Sequence, residues 1–120
     1  MSREFEMDDQ DLAITTRREG NALVVALDGE VTVFSSPMLR ERLRELVDTG
    51  PKQLILNLLD VKYVDSSGVA TFVEALRLAR ERQGNMVLAH VNPRVRGVLE
   101  IARLDTLFTI VDTVEEALES

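Results

Sequence analysis

The chain has no cysteine, a single histidine and no apolar stretch near the roughly 20 residues that a membrane-spanning helix needs. The first absence rules out a disulfide framework, a thiolate nucleophile and any cysteine-ligated metal. The second leaves little from which to build an imidazole site. Two phosphate-binding signatures, GxxxxGK[ST] and GxGxxG, are also missing, so no loop of those kinds is present to cradle a nucleotide. The opening residues, MSREFEMDDQD, are acidic where a secretory signal would need a basic segment and then an apolar run. Internal repeats and low-complexity segments are absent too. Together these gaps predict a soluble, cytoplasmic protein in a reducing compartment, without cofactor or metal and without direct membrane insertion.

What is present suffices for one compact domain: 120 residues, 45% of them hydrophobic, can bury a single core. The net charge of −7 is unevenly spread. Residues 1–11 carry five acids against Arg3, residues 105–120 carry five acids and no lysine or arginine, and the body between them is therefore +2. A body with that balance lacks the basic footprint that phosphate-backbone binding requires, so nucleic acid is not an expected partner. Residues 1–11 read as an acidic N-terminal extension and residues 12–120 as the domain, the acidic ends being solvated faces with partner steering as the other reading.

LAIT and ALVVAL flank TRREGN, whose Gly20-Asn21 supplies turn residues, so two antiparallel strands are expected near 12–17 and 22–28. Ser36-Pro37 reads as an N-cap followed by a favoured first helical residue, and Leu39, Leu43, Leu46 and Val47 then share one helical face until Gly50-Pro51. QLILNL at 53–58 is a short continuous apolar run, the pattern of a strand covered on both faces. From Ser67 the residues Val69, Phe72, Val73, Leu76 and Ala79 keep helical spacing to Gly84, and NMVLAHV supplies another buried-type strand. Asn92-Pro93 caps a third helix with Val95, Val98, Leu99 and Ala102 inward. LFTIV at 107–111 is a last strand, and Thr113 with Glu116 forms a capping box for a terminal helix. Strands alternating with helices predict an α/β fold: a mostly parallel four- to five-stranded sheet with an antiparallel N-terminal edge strand and about four helices. In such sheets function gathers at the carboxyl ends of the strands, which here carry Gly29 to Ser36, Asp60 to Ser67 and His90 to Asn92.

The stretch YVDSSGVATF places Asp65, Ser66, Ser67 and Gly68 at one of those ends, where an apolar run gives way to a helical pattern. One reading is that an oxygen of Asp65, Ser66 or Ser67 caps the helix, a contribution of about 1 kcal/mol. One cap needs one oxygen, so two serines and an acid exceed the need, and Gly68 keeps the first turn bare for another protein. A hydrolase reading fails because the nucleophile elbow wants glycine on both sides of the serine, whereas Asp65 and Val69 stand two residues from Ser67. Its one candidate base, His90, is a strand-end histidine of the structural kind. A serine can also be a site by being modified: phosphorylation adds about −1.5 to −2 charge, which a helix N-terminus tolerates while the surface chemistry inverts.

LVVALDGEVTVFSSPMLRERL, followed by the stretch from LILNLLDVKYVDSSGV to VDTVEEAL, resembles the STAS domain of bacterial anti-sigma factor antagonists over about residues 12–118. Its most specific part is DSSG placed after a buried strand. The resemblance implies a non-enzymatic protein-interaction switch that binds an anti-sigma factor serine kinase. It is released when that kinase phosphorylates the serine before the glycine, and a cognate phosphatase resets it. Carried over, the phosphoacceptor is Ser67, flanked by Asp65, Ser66 and Gly68, while Gly29, Glu30, Thr32, Ser35 and Ser36 belong to the second partner-binding segment. Many antagonists read GELD where this chain reads GEVT, so Thr32 stands in place of an aspartate. The alternative implied by the same resemblance is a STAS subunit that contacts the ATPase of a bacterial ABC lipid transporter.

Overall fold

A computed structural model describes the backbone of residues 3–8 and the whole of residues 12–119. Among the described residues, six strands and four helices follow one another as β1 (Arg3–Asp8), β2 (Leu12–Glu19), β3 (Ala22–Val31), α1 (Ser36–Asp48), β4 (Gln53–Val64), α2 (Ser66–Glu81), β5 (Asn85–Ala89), α3 (Pro93–Ile101), β6 (Thr109–Val111) and α4 (Val114–Glu119). The strands form one sheet in the order β1-β2-β3-β4-β5-β6, antiparallel across β1–β2 and β2–β3 and parallel from β3 to β6. The expected α/β architecture with its antiparallel N-terminal edge is present. The sheet is one strand wider than expected, because Arg3–Asp8 pairs with Arg17–Leu12 and takes the edge position.

Strand period two explains how the helices are distributed. Leu23 and Val25 on β3, Leu54 and Leu56 on β4, and Met86 and Leu88 on β5 point to the main core, which they share with Leu39 and Leu43 of α1, Phe72 and Leu76 of α2, and Val95 and Leu99 of α3. Their neighbours Ala22, Val24, Ile55, Val87 and Ala89 point to the other face, where Val114 and Ala117 of α4 cover them. Thus QLILNL is apolar at consecutive positions because both faces of β4 are buried there. The β2–β3 turn falls on Gly20-Asn21 as expected, between the paired residues Glu19 and Ala22, and Gly20 takes the left-handed φ of 61° that such a turn needs.

Four local expectations shift. β4 runs on to Val64 because its second half is bulged twice against β3, at Ala26/Asp28 and Gly29/Glu30. Each bulge inserts an extra β4 residue, so Leu58, Val61 and Val64 all turn inward at intervals of three while Leu59, Asp60, Lys62 and Tyr63 stay exposed; the usual alternation is lost. β6 is only Thr109–Val111, since the chain before it turns at Leu104–Leu107, where Leu107 N–H donates to the Leu104 carbonyl at 3.0 Å. Ala102 is the C-cap of α3 and exposed instead of inward. Finally, α1 begins at Ser36, with Ser35 as its N-cap residue.

Candidate functional site

The parallel strands β3 and β4 end level, with Val31 paired to Val64, and release two segments side by side: Thr32–Ser35 into α1 and Asp65 into α2. Asp65 joins them. Its backbone N–H donates to the carbonyl of Val31 at 3.0 Å, so it leaves the strand still attached to β3. Its carboxylate Oδ1 then accepts from Gly68 N–H at 3.0 Å, the N-cap bond of α2, while Oδ2 accepts from Val33 N–H at 3.0 Å across the gap to the other segment. One carboxylate therefore caps the helix and fixes the neighbouring loop.

This settles which of the three oxygen-bearing residues is the cap. With Asp65 in that role, Ser66 and Ser67 occupy the first two helical positions, Ser66 exposed and Ser67 half-buried. Neither serine hydroxyl has a hydrogen-bond partner among the described residues; the Ser67 carbonyl accepts from the buried Thr71 hydroxyl at 2.9 Å. Gly68 does not serve to bare the first turn. It is buried, and an added Cβ would stand 2.7 Å from the Val31 carbonyl oxygen, 2.7 Å from Val64 Cγ1 and 2.8 Å from Val31 Cγ1. Glycine is there so that α2 can start hard against the ends of β3 and β4.

The second segment is a knot of short-range bonds. The Thr32 carbonyl accepts from both Ser35 N–H (3.1 Å) and Ser36 N–H (2.8 Å), and the Thr32 hydroxyl accepts from Phe34 N–H at 3.2 Å. Ser35 Oγ accepts from Thr32 N–H at 3.0 Å and donates to the Glu30 carbonyl at 2.9 Å. Ser35 is 0% and Ser36 2% exposed, so the expectation that both touch a partner needs correcting: Ser35 holds the loop from inside, and Ser36 faces inward with an unpaired hydroxyl. Glu30 is exposed, Gly29 and Thr32 are half-buried, and Gly29 takes φ 129° beside the second bulge.

What the knot presents outward is Val33 and Phe34, 57% and 71% exposed. Both lie within the Gly29 to Ser36 segment expected at the functional edge, but neither was singled out there, since the resemblance names the glycine, acid and hydroxyl residues around them. The signal was the strand end at Val31, which leaves two large apolar side chains on a turn with no core to enter. Tyr63, opposite Glu30 in the ladder and 40% exposed, adds to the same strand-end surface. A groove of about 520 Å³ runs along α2 from Ser66, lined also by Val69, Val73, Glu74, Arg77 and Leu104.

His90 is placed elsewhere. It ends β5 with φ 59°, its N–H donates to the Asp112 carbonyl at 3.2 Å, and its Nε2 accepts from Val114 N–H at 3.3 Å. The ring's free lone pair thus caps α4 and is engaged there. No cluster of histidine, aspartate or glutamate able to hold a metal occurs among the described residues, and no described helix is long and apolar enough to cross a membrane.

Residues 13–117 match the STAS domain. The chain belongs to the STAS domain family. Among STAS relatives, the anti-sigma-B factor antagonist of Bacillus subtilis is 30% identical over 97 residues, covering 81% of this chain and 88% of that protein. An anti-sigma factor antagonist from Mycobacterium paratuberculosis superposes with a TM-score of 0.84 at 20% identity, covering 93% and 95% of the two chains. The antagonist SpoIIAA aligns in its unphosphorylated form (TM-score 0.71, 23% identity, 98% and 94% coverage) and in its phosphorylated form (0.66, 22%, 98% and 97%). At those identities the structural likenesses establish the shared STAS fold.

Proposed function

We propose that this STAS domain is an anti-sigma factor antagonist, a non-enzymatic switch that docks on an anti-sigma factor serine kinase and is released by phosphorylation of Ser67. The observation that carries the reading is the state of the Ser67 hydroxyl. It sits in the first turn of α2, where Asp65 has already satisfied the cap, and it makes no hydrogen bond among the described residues. A hydroxyl with no structural duty at a partly exposed helix N-terminus can be modified without loss of a native interaction. The names carried by the relatives above support the antagonist reading over the transporter-associated one.

In the transfer, the kinase's ATP supplies the γ-phosphoryl group. The Ser67 O–H bond breaks as its oxygen bonds to phosphorus, the bond from phosphorus to the β-phosphate oxygen breaks to release ADP, and the hydroxyl proton passes to the kinase's base. The partner-facing surface combines the apolar tip of Val33 and Phe34 with Glu30, Thr32, Asp65, Ser66 and Ser67. Val33 and Phe34 are the groups whose burial would supply most of the contact energy. A near-dianion at Ser67, next to the Asp65 carboxylate, brings like-charge repulsion and desolvation into that contact, which costs several kcal/mol unless basic groups receive it. The fold itself tolerates the anion, because the helix dipole and the free N–H groups of α2 favour negative charge. A cognate phosphatase restores the binding form.

The test is incubation with a cognate anti-sigma factor kinase and ATP, followed by intact mass and fragmentation. One added phosphate, located on Ser67, is expected. Phosphate on Ser66 with Ser67 bare, or no phosphate with an active kinase, overturns the assignment.

A further inference from the structure

The double engagement of Asp65 suggests how a phosphate on Ser67 reaches the rest of the surface. We infer that Asp65 is the positioning residue that holds the Val33–Phe34 loop in its docking pose, and that phosphoserine at 67 undoes this by displacing the Asp65 carboxylate from its two bonds. The inference rests on the reading of Ser67 as phosphoacceptor and deepens it.

The argument starts from the accounting of acceptors. Among the described residues, the first-turn N–H groups of α2 have one side-chain acceptor, Asp65 Oδ1, and Val33 N–H has one acceptor, Asp65 Oδ2, both at 3.0 Å. Ser67 stands between Asp65 and Gly68 in the same turn. A phosphate attached there carries three strong acceptor oxygens and more charge than a carboxylate, so it competes for the helix N–H groups from inside the turn. It also repels the carboxylate two residues away. When Asp65 swings off, α2 keeps a cap, now the phosphate, but Val33 N–H keeps nothing.

The loss is local, because the rest of the loop is tied elsewhere. Ser35 Oγ bridges Thr32 N–H and the Glu30 carbonyl, and the Thr32 carbonyl receives Ser35 and Ser36, so α1 and the base of the loop stay in place. Only the tip is loosened: Val33 loses its anchor, and Phe34 is left with its 3.2 Å bond to the Thr32 hydroxyl; these two are the large exposed apolar side chains of the segment. The phosphate thus acts twice: directly by its charge at the contact, and at a distance by loosening the apolar tip that contributes most to it.

Amide hydrogen exchange at single-residue resolution tests this on the isolated domain, so it is independent of whether any kinase modifies Ser67. Three proteins are compared: the unmodified chain, the chain carrying genetically encoded phosphoserine at 67, and Asp65→Asn. Asparagine retains a good N-cap oxygen for Gly68 N–H but presents an NH₂ group, which cannot accept from Val33. In both altered proteins the Val33 amide should exchange at least about tenfold faster, the scale of a lost hydrogen bond to a charged acceptor. Amides of Leu56 and Leu88 in the central strands should be unchanged, separating tip release from general destabilisation. Ser67→Ala, which adds no charge, should leave Val33 protected. If the phosphoserine protein, with the phosphate verified by mass, shows Val33 protected as in the unmodified chain, the relay is wrong and the phosphate acts at the surface alone. Equal acceleration at Leu56 and Leu88 also overturns it, since the effect would then be global.

Discussion

Gly68→Ala is the substitution from which the geometry of the site predicts the largest loss for the smallest change. Alanine at an open helical position stabilises by about 0.5–1 kcal/mol relative to glycine. At 68 the new methyl would lie 2.7 Å from the Val31 carbonyl oxygen and 2.7–2.8 Å from methyls of Val64 and Val31. A backbone carbonyl in a paired strand cannot turn away, and valine side chains are stiff about their first torsion, so the helix start itself must move. Over-packing of this kind costs about 1–3 kcal/mol, and with two unyielding walls the net loss should be about 2 kcal/mol. In a domain of this size that lowers Tm by about 8 °C. The contrast is Gly97→Ala in α3, where the added Cβ meets nothing within 4 Å and a gain of about 0.5–1 kcal/mol is expected. Denaturant unfolding of both variants beside the wild type gives the comparison. Equal stability of Gly68→Ala and wild type would refute the close-approach argument, as would a loss at Gly97 as large as that at Gly68.

Phe34→Ala should leave stability within about 0.5 kcal/mol, because the side chain is 71% exposed, yet weaken binding to the anti-sigma factor by more than about 1 kcal/mol; melting and calorimetry on one preparation check both halves. His90→Ala removes the acceptor of Val114 N–H and places alanine at φ 59°, so a loss of about 1–2 kcal/mol is expected in chemical unfolding, with no change in phosphate incorporation at Ser67. Ser67→Ala should abolish kinase-dependent phosphate incorporation and, since its hydroxyl makes no bond among the described residues, change the unfolding free energy by less than about 0.5 kcal/mol. Ser66→Ala should leave incorporation intact, as mass spectrometry of the kinase reaction would show.

Helical periodicity located α1, α2 and α3 because each presents a continuous apolar face to one core, and a two-sided apolar run located the middle of β4. The second half of β4 was hidden by its two bulges, which replace alternation with inward residues at every third position. The edge strand was hidden by charge: REFEMD alternates acids with apolar residues, yet five acids in eleven residues read as a solvated tail. At the site, Asp65 to Gly68 was legible as a helix start, but the division of labour was not. Which oxygen caps, and what glycine is for, depends on Val31, Val33 and Val64, residues distant in sequence that only the β3–β4 pairing brings alongside. Ser35 and Ser36 looked like surface for the same reason, since local pattern does not reveal that the Thr32–Ser35 turn folds their side chains inward.

The measurement that bears most directly on the account is calorimetric titration of the anti-sigma factor kinase with this domain carrying serine or genetically encoded phosphoserine at 67, alongside a melting curve for each. The account predicts saturable binding by the serine form, and a loss of at least about 100-fold, or 2.7 kcal/mol, on phosphorylation, with the two melting curves nearly superimposed. Equal affinity of the two forms would contradict it, as would a loss of binding that is matched by unfolding of the phosphorylated domain.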